Sequence, residues 1–414
     1  MTDPFSGGFD PRMFENVPLF RELAKVMSWR GGPVNWDLAS QTALAVAEPS
    51  GGAPAGRLPS GAGATGGAAH EGEELRRAAD VAELWLDQVT DLPQVDGPVR
   101  ALSRGEWVRL ACSSAGLGVY VEPLAAGMGS ALTKSLPEEF DAMAGAMGQA
   151  LGSMGAMLYG VQIGTVAGHL AAQLLGTYDL GVPTLDPRTI GTVGDTADRF
   201  ARDYGFDRTE FTYWLALRES AHRRQFAGVR WLRGHVAELI KRFASEADLD
   251  PGRLMDQLGQ LGMAPGAANP LDPEALREAL GRPDAFAVEP TSAQRATLER
   301  LQALVAFTEG WVSTVVAAAA GDKLTALPRI EEAISRRRAA KGPGERFLEQ
   351  LIGLDLQPRD LRLGRGFCEA VLAARGQEGL DRAWREPAHL PTGEELRDPS
   401  RWLVRMAAAE LDVD

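Results

Sequence analysis

Apolar residues recur three and four positions apart along most of the chain, and period-two alternation is rare. That pattern predicts a mainly α fold, a multi-helix domain with little or no β structure. Helical periodicity covers 18–27, 38–47 (with Asp37 as candidate cap), 73–92, 195–204, 207–226, 330–338, 345–354 and 361–375. Ser103 and Glu106 have capping-box spacing ahead of Trp107 and Val108, and Thr291 and Gln294 have the same spacing ahead of the longest helix. That helix is expected to run to Ala320 and to close at Gly321. The place best suited to a strand is 177–194, where turn residues flank a short apolar alternation. Past residue 375 the pattern predicts a loop-rich tail, and no internal repeat is evident.

Breaks in the pattern divide the chain. Residues 1–47 read as an N-terminal arm and first helices, with 1–13 loose. Residues 48–72 are Gly, Ala, Pro and Ser with almost no bulky apolar side chain, which predicts a flexible linker or insertion. Residues 73–414 form the main helical domain, with a loop near 262–273. Between Asp141 and Asp179 the only ionisable side chains are His169, Tyr159 and Tyr178. Glycine recurs throughout that stretch, with Gly160, Gly164 and Gly168 at helical spacing. Such spacing lets a second backbone approach closely, so 142–176 is expected to be a buried, tightly packed helix pair and not a membrane span. His169 there is expected to be a buried hydrogen-bonding residue.

Two stripes carry the candidate chemistry. Phe211, Leu215, Arg218, His222 and Phe226 share one helical face, apolar except for Arg218 and His222. Leu301, Val305, Glu309, Val312 and Val316 share another, apolar except for Glu309. A carboxylate facing a core must be protonated, hydrogen-bonded or paired with a cation. Arg218-Glu219-Ser220-Ala221-His222 has the spacing of an HExxH helix, in which two imidazoles one turn apart hold Zn²⁺ and the glutamate takes a proton from metal-bound water. Arg218 stands in the first imidazole's place. Its guanidinium is expected to take the metal's electrostatic place, pairing with Glu309 and also with Glu219, while His222 packs alongside. A plainer alternative makes Glu219 and Arg223 an exposed i,i+4 pair and His222 a satisfied core histidine. A third places a metal on His222, Glu309 and His235, with the chain folding back after Gly228 to supply the last imidazole.

Composition trims these possibilities. The net charge of −13 argues against nucleic acid or an anionic membrane as partner, both of which need clustered Lys and Arg. Two cysteines, Cys112 and Cys368, are too few for a disulfide framework or a Cys-based zinc site. No basic segment followed by an apolar run begins the sequence, so a cytoplasmic location is expected. There is no phosphate-cradling glycine loop with its lysine, and no GxSxG elbow around Ser153.

Several motifs then occur in a familiar order: Ser28-Trp29 followed by Gly31-Gly32-Pro33-Val34-Asn35-Trp36-Asp37, Tyr178-Asp179-Leu180-Gly181-Val182-Pro183, Leu217 to His222, Trp231-Leu232, Thr308-Glu309-Gly310-Trp311, and Phe347 to Leu354. With them the chain resembles the zincin-like metallopeptidases of actinobacteria and their relatives, a family labelled as hydrolases, over nearly its whole length outside 48–72. The resemblance implies a largely helical zincin-like domain whose fuller members carry HExxH and a downstream glutamate. Matched position by position, Glu219 falls on the general base, His222 on the second zinc ligand and Glu309 on the downstream acidic ligand. Arg218 falls on the missing first ligand. Two functions are therefore expected to compete. One is a catalytically silent scaffold that binds a protein or peptide through the old cleft. The other is a zinc-dependent peptide hydrolase using His222, Glu309 and a non-standard third ligand.

Overall fold

The computed structural model describes residues 31–47, 64–134, 144–246, 290–340, 342, 346 and 357–411. Expectations for 1–30, for the loop near 262–273 and for most of 345–354 lie outside them. Among the described residues thirteen α-helices and two short strands follow in this order: α1 (Trp36–Ala47), α2 (Ala64–Leu86), β1 (Val99–Leu102), α3 (Arg104–Ala111), α4 (Gly118–Lys134), α5 (Ala144–Ala171), β2 (Ile190–Val193), α6 (Gly194–Asp203), α7 (Arg208–Arg223), α8 (Leu232–Ser245), α9 (Ser292–Ala320), α10 (Leu327–Ala340), α11 (Pro358–Asp381), α12 (Gly393–Arg397) and α13 (Pro399–Leu411). The mainly α expectation holds.

Local chemistry explains several of the helix ends. Both expected capping boxes form, Ser103 with Glu106 before α3 and Thr291 with Gln294 before α9. Gly321 ends α9 at φ 48°, a conformation that costs glycine little. Asp207 caps α7 by accepting from the Glu210 amide at 2.9 Å. Asp37 lies inside α1; the cap is Asn35, whose side chain accepts from the Leu38 amide at 3.0 Å.

Four other expectations are corrected. Helix α2 begins at Ala64, within the stretch read as linker, and ends at Leu86, short of Leu92. Within 142–176 the described residues form one long helix, Ala144–Ala171, not a pair, and it packs against α1. Side chains placed at Gly160, Gly164 or Gly168 would strike Asn35, Ala39 or Ala43 and Val46 of that partner, so the small residues are what allows the approach. His169 on this helix is only half-buried. The tail past 375 is helical, because Thr392 forms a further capping box and Trp402 and Met406 bury against the core.

The strand expected in 177–194 is β2, and it pairs in parallel with β1, Val99 opposite Ile190 and Leu102 opposite Val193. Two cores result. The smaller gathers α1, α3 and α5; the larger gathers α2 and α6 to α13. Helix α4 faces both, presenting Tyr120 and Leu124 to one and Val121 and Ala125 to the other. Cys112 and Cys368 are both buried free thiols, one in each core. Among the described residues one helix, Ser292–Lys323, is long and apolar enough to cross a membrane, and 83% of its apolar window is buried inside the protein.

Candidate functional site

Three helices and one loop meet inside the larger core. Helix α7 presents Arg218 and His222, α9 presents Glu309, α10 presents Arg338, and the loop between α5 and β2 lays Thr177 to Gly181 across them. Position 310 sets how α9 passes α11. A Cβ on Gly310 would run into the Gly364–Arg365 backbone, and one on Gly364 into the Ala306 carbonyl. That crossing holds Glu309 at the depth where the α7 side chains reach it.

Glu309 is 4% exposed and carries the site's charge pairing. Its Oε2 accepts from Arg218 Nη2 at 2.5 Å and from Arg338 Nη1 at 2.9 Å. Its Oε1 lies 3.3 Å from His222 Nε2, close but not aligned as a hydrogen bond. Burial alone would raise this carboxyl, yet the two guanidiniums and the imidazole hold it well below the usual carboxylate range. His222 is fully buried, which pushes its pKa down, with Arg218 and Arg338 adding to the effect against the pull of Glu309. Its ring stacks on Tyr178 and tilts against Phe226.

The expectation for Arg218 and Glu309 is therefore met in geometry, but Glu219 behaves differently. Its carboxylate turns to the α5–β2 loop, accepting from the Thr177 amide at 3.0 Å, the Thr177 hydroxyl at 2.5 Å and the Tyr178 amide at 3.2 Å. Burial lifts its pKa to about 7 despite those three donors. No contact joins it to Arg218 among the described residues. The plainer alternative is also corrected. Glu219 and Arg223 are both buried, and Arg223 pairs with Glu83 of α2 at 2.6 Å. His235 does not join the site: it lies half-buried on α8 with its ring edge-on to Trp231, lining a different groove with Glu299 and Arg300. The chain does turn after Gly228, following a wide turn at Arg224–Gly228, but it carries His235 away.

Three parts of the site escaped sequence reasoning. Arg338 is the second cation on Glu309, and its neighbour Arg337 makes a two-oxygen contact with Asp179 at 2.6 Å. A visible signal existed: three consecutive arginines, 336 to 338, spread over about 200° of a helix, which brings the outer members toward the edges of its buried face. Arg224 is 1% exposed and spends its donors on Glu83, Asp87 and the Leu92 carbonyl. Gly181 has φ 77°, and its missing Cβ leaves room for Val305 and Glu309. The motif around Tyr178 to Gly181 thus serves as a strap over the site.

A metal needs several converging donors. Among the described residues no three His, Cys, Asp or Glu side chains come together in a way that could hold one. Here one imidazole and one carboxylate converge with two guanidiniums, whose fixed charge repels a dication. The residues present do not fit zinc.

A model of the family described as zincin-like metallopeptidase matches residues 34–403. Among solved structures, a protein from Chloroflexus aurantiacus described as a "putative hydrolase with a novel fold" superposes with a TM-score of 0.57 at 23% identity. The match covers 90% of this chain and 99% of that one, and at this identity it speaks for the fold alone. No curated protein matches the chain.

Proposed function

The chain belongs to the zincin-like metallopeptidase family, and from that premise we propose that it is a catalytically silent member, a scaffold that binds a protein or peptide partner through the former catalytic cleft. The carrying observation is the 2.5 Å bond from Arg218 Nη2 to Glu309 Oε2. In this reading Arg218 replaces the first ligand of the motif and fills the metal's electrostatic role. A dication polarises water, whereas a guanidinium only neutralises and orients. The same reading gives Glu219 a structural task, because its two oxygens are already committed to Thr177 and Tyr178. A cytoplasmic site of action and an acidic surface with no affinity for nucleic acid go with this proposal.

Family membership keeps a second reading in play: a zinc-dependent peptide hydrolase in which His222 and Glu309 are joined by another ligand. Metal analysis of untagged protein after mild chelation and zinc reloading separates the two. The scaffold reading expects substoichiometric zinc, unchanged in Glu309→Ala. Stoichiometric zinc that disappears in Glu309→Ala overturns it. Arg218→His is expected to raise zinc affinity by restoring the second imidazole, which tests descent from a metal-binding form.

A further inference from the structure

A cavity of 150 Å³ opens beside the Arg218–Glu309 pair, between α7, α9, α10 and the start of α11. Four guanidiniums line it, from Arg218, Arg338, Arg362 and Arg365, against two carboxylates, Glu309 and Glu331. The chain as a whole has a net charge of −13, so the excess of guanidiniums lining this cavity runs against the balance of the sequence. Both carboxylates are already engaged: Glu309 by Arg218 and Arg338, Glu331 by Arg365 at 3.0 Å. Arg218 uses Nη2 on Glu309, and no contact among the described residues engages its Nε or Nη1. Arg362 is exposed at the rim. The same four helices also line it with apolar side chains, Trp214, Val316, Ile334 and Leu361.

Donors of Arg218 and Arg362 that no described side chain takes up, set among apolar side chains at this size, describe a definite ligand. The volume is well below the roughly 300 Å³ at which drug-sized ligands begin, and suits something about as large as one amino acid. Guanidinium forks favour planar carboxylates, which they can bind through two parallel bonds. A phosphate would use the cations and leave the apolar side chains uncovered, and a neutral apolar molecule would leave the donors unpaired. We infer that this cavity binds a carboxylate bearing an apolar side chain, as found in a free apolar amino-acid derivative or at the C-terminus of a peptide. The inference rests on the proposed reading of the site, because it takes Arg218 as a permanent resident and not as an intruder on a metal.

The test is calorimetric titration of the full chain with N-acetyl-leucine, N-acetyl-leucinamide, a tetrapeptide ending in leucine, the same tetrapeptide amidated at its C-terminus, and inorganic phosphate. Each acid is expected to bind at least tenfold more tightly than its amide, since about 1.4 kcal/mol separates decades of affinity and a charge-assisted bond exceeds that. Arg362→Ala is expected to weaken the acids about fivefold, and Leu361→Glu, which sets a carboxylate at the rim, more than tenfold, with melting temperatures near the parent value. Tetrapeptide binding at least as tight as N-acetyl-leucine identifies a peptide terminus as the source; binding of N-acetyl-leucine alone identifies the free acid. Equal affinity for acid and amide, no binding of either, phosphate binding as tight as N-acetyl-leucine, or variants indistinguishable from the parent overturns the inference. Zinc content measured on the same samples keeps the two claims apart. Zinc-free protein that ignores carboxylates sinks only this inference, and zinc-loaded protein sinks the scaffold reading whatever the titration finds.

Discussion

The imidazole of His222 lies flat against the phenol ring of Tyr178, with centroids 5.1 Å apart and planes 6° from parallel. Tyr178 belongs to the loop that leaves the smaller core, and its hydroxyl donates to the Pro187 carbonyl, which fixes the ring. His222 belongs to α7 in the larger core. The stack therefore clamps the loop onto the helix that carries Arg218, and the loop in turn supplies the donors that hold Glu219.

Breaking the central ion pair on one side should cost more than removing it whole. Arg218→Met leaves Glu309 buried with Arg338 as its remaining guanidinium, and is expected to lose about 3 kcal/mol, the low end for a broken buried pair. The double variant Arg218→Met with Glu309→Met removes both charges from the core. It should fall short of the sum of the single losses by at least about 1 kcal/mol in urea unfolding. Additive losses would mean the pair is not coupled.

Stability should carry a pH signature from Glu219. Its folded pKa, about 7, lies above the unfolded carboxylate value, so its contribution is fully present below the unfolded pKa and is lost as pH rises toward 7. His222 acts in the opposite sense. Its folded pKa is depressed, so stability increases as pH rises toward the ordinary histidine value. Comparing parent with Glu219→Gln isolates the first effect: the parent's advantage should shrink by up to about 3 kcal/mol between pH 4.5 and 7. A difference independent of pH would show that Glu219 is ionised throughout.

The imidazole of His222 should stay neutral where an ordinary histidine is half charged. Long-range nitrogen–proton NMR is expected to place its transition below the usual value and to show it rising in Arg218→Met, since a repelling cation has gone. A transition unmoved by that substitution would mean that Arg218 does not sit beside the ring.

Gly310→Ala tests the helix crossing that aims Glu309. The added methyl meets the Gly364 backbone, not a flexible side chain, so neither helix can yield locally. A loss of about 2 kcal/mol or more is expected, within the range for overpacked cores. A variant as stable as the parent would show that α9 and α11 are free to separate.

Much of the site was legible in the linear pattern. The period that buries Leu215 and Phe226 also buries Arg218 and His222, and the period of Leu301, Val305 and Val316 buries Glu309. The capping boxes at Ser103 and Thr291 could be read as well, because an N-cap and its third residue are bonded within one turn. Less legible were the partners. Glu219 was matched with Arg218 one residue away, yet neighbours on a helix point about 100° apart, and its donors came from Thr177 and Tyr178. His235 had a suitable ring but sits on a helix that turns its back on Glu309.

By itself the sequence determined that the chain is helical and that three ionisable side chains on two of its helices must be buried, since period and capping are properties of short windows. Which charges meet was decided only in three dimensions. Arg218 and Glu309 are 91 residues apart, and Arg338 reaches the same carboxylate from a third helix. Those meetings depend on where helices cross, at contacts such as Gly310 with Gly364, and a crossing is set by the packing of whole surfaces that no short window contains.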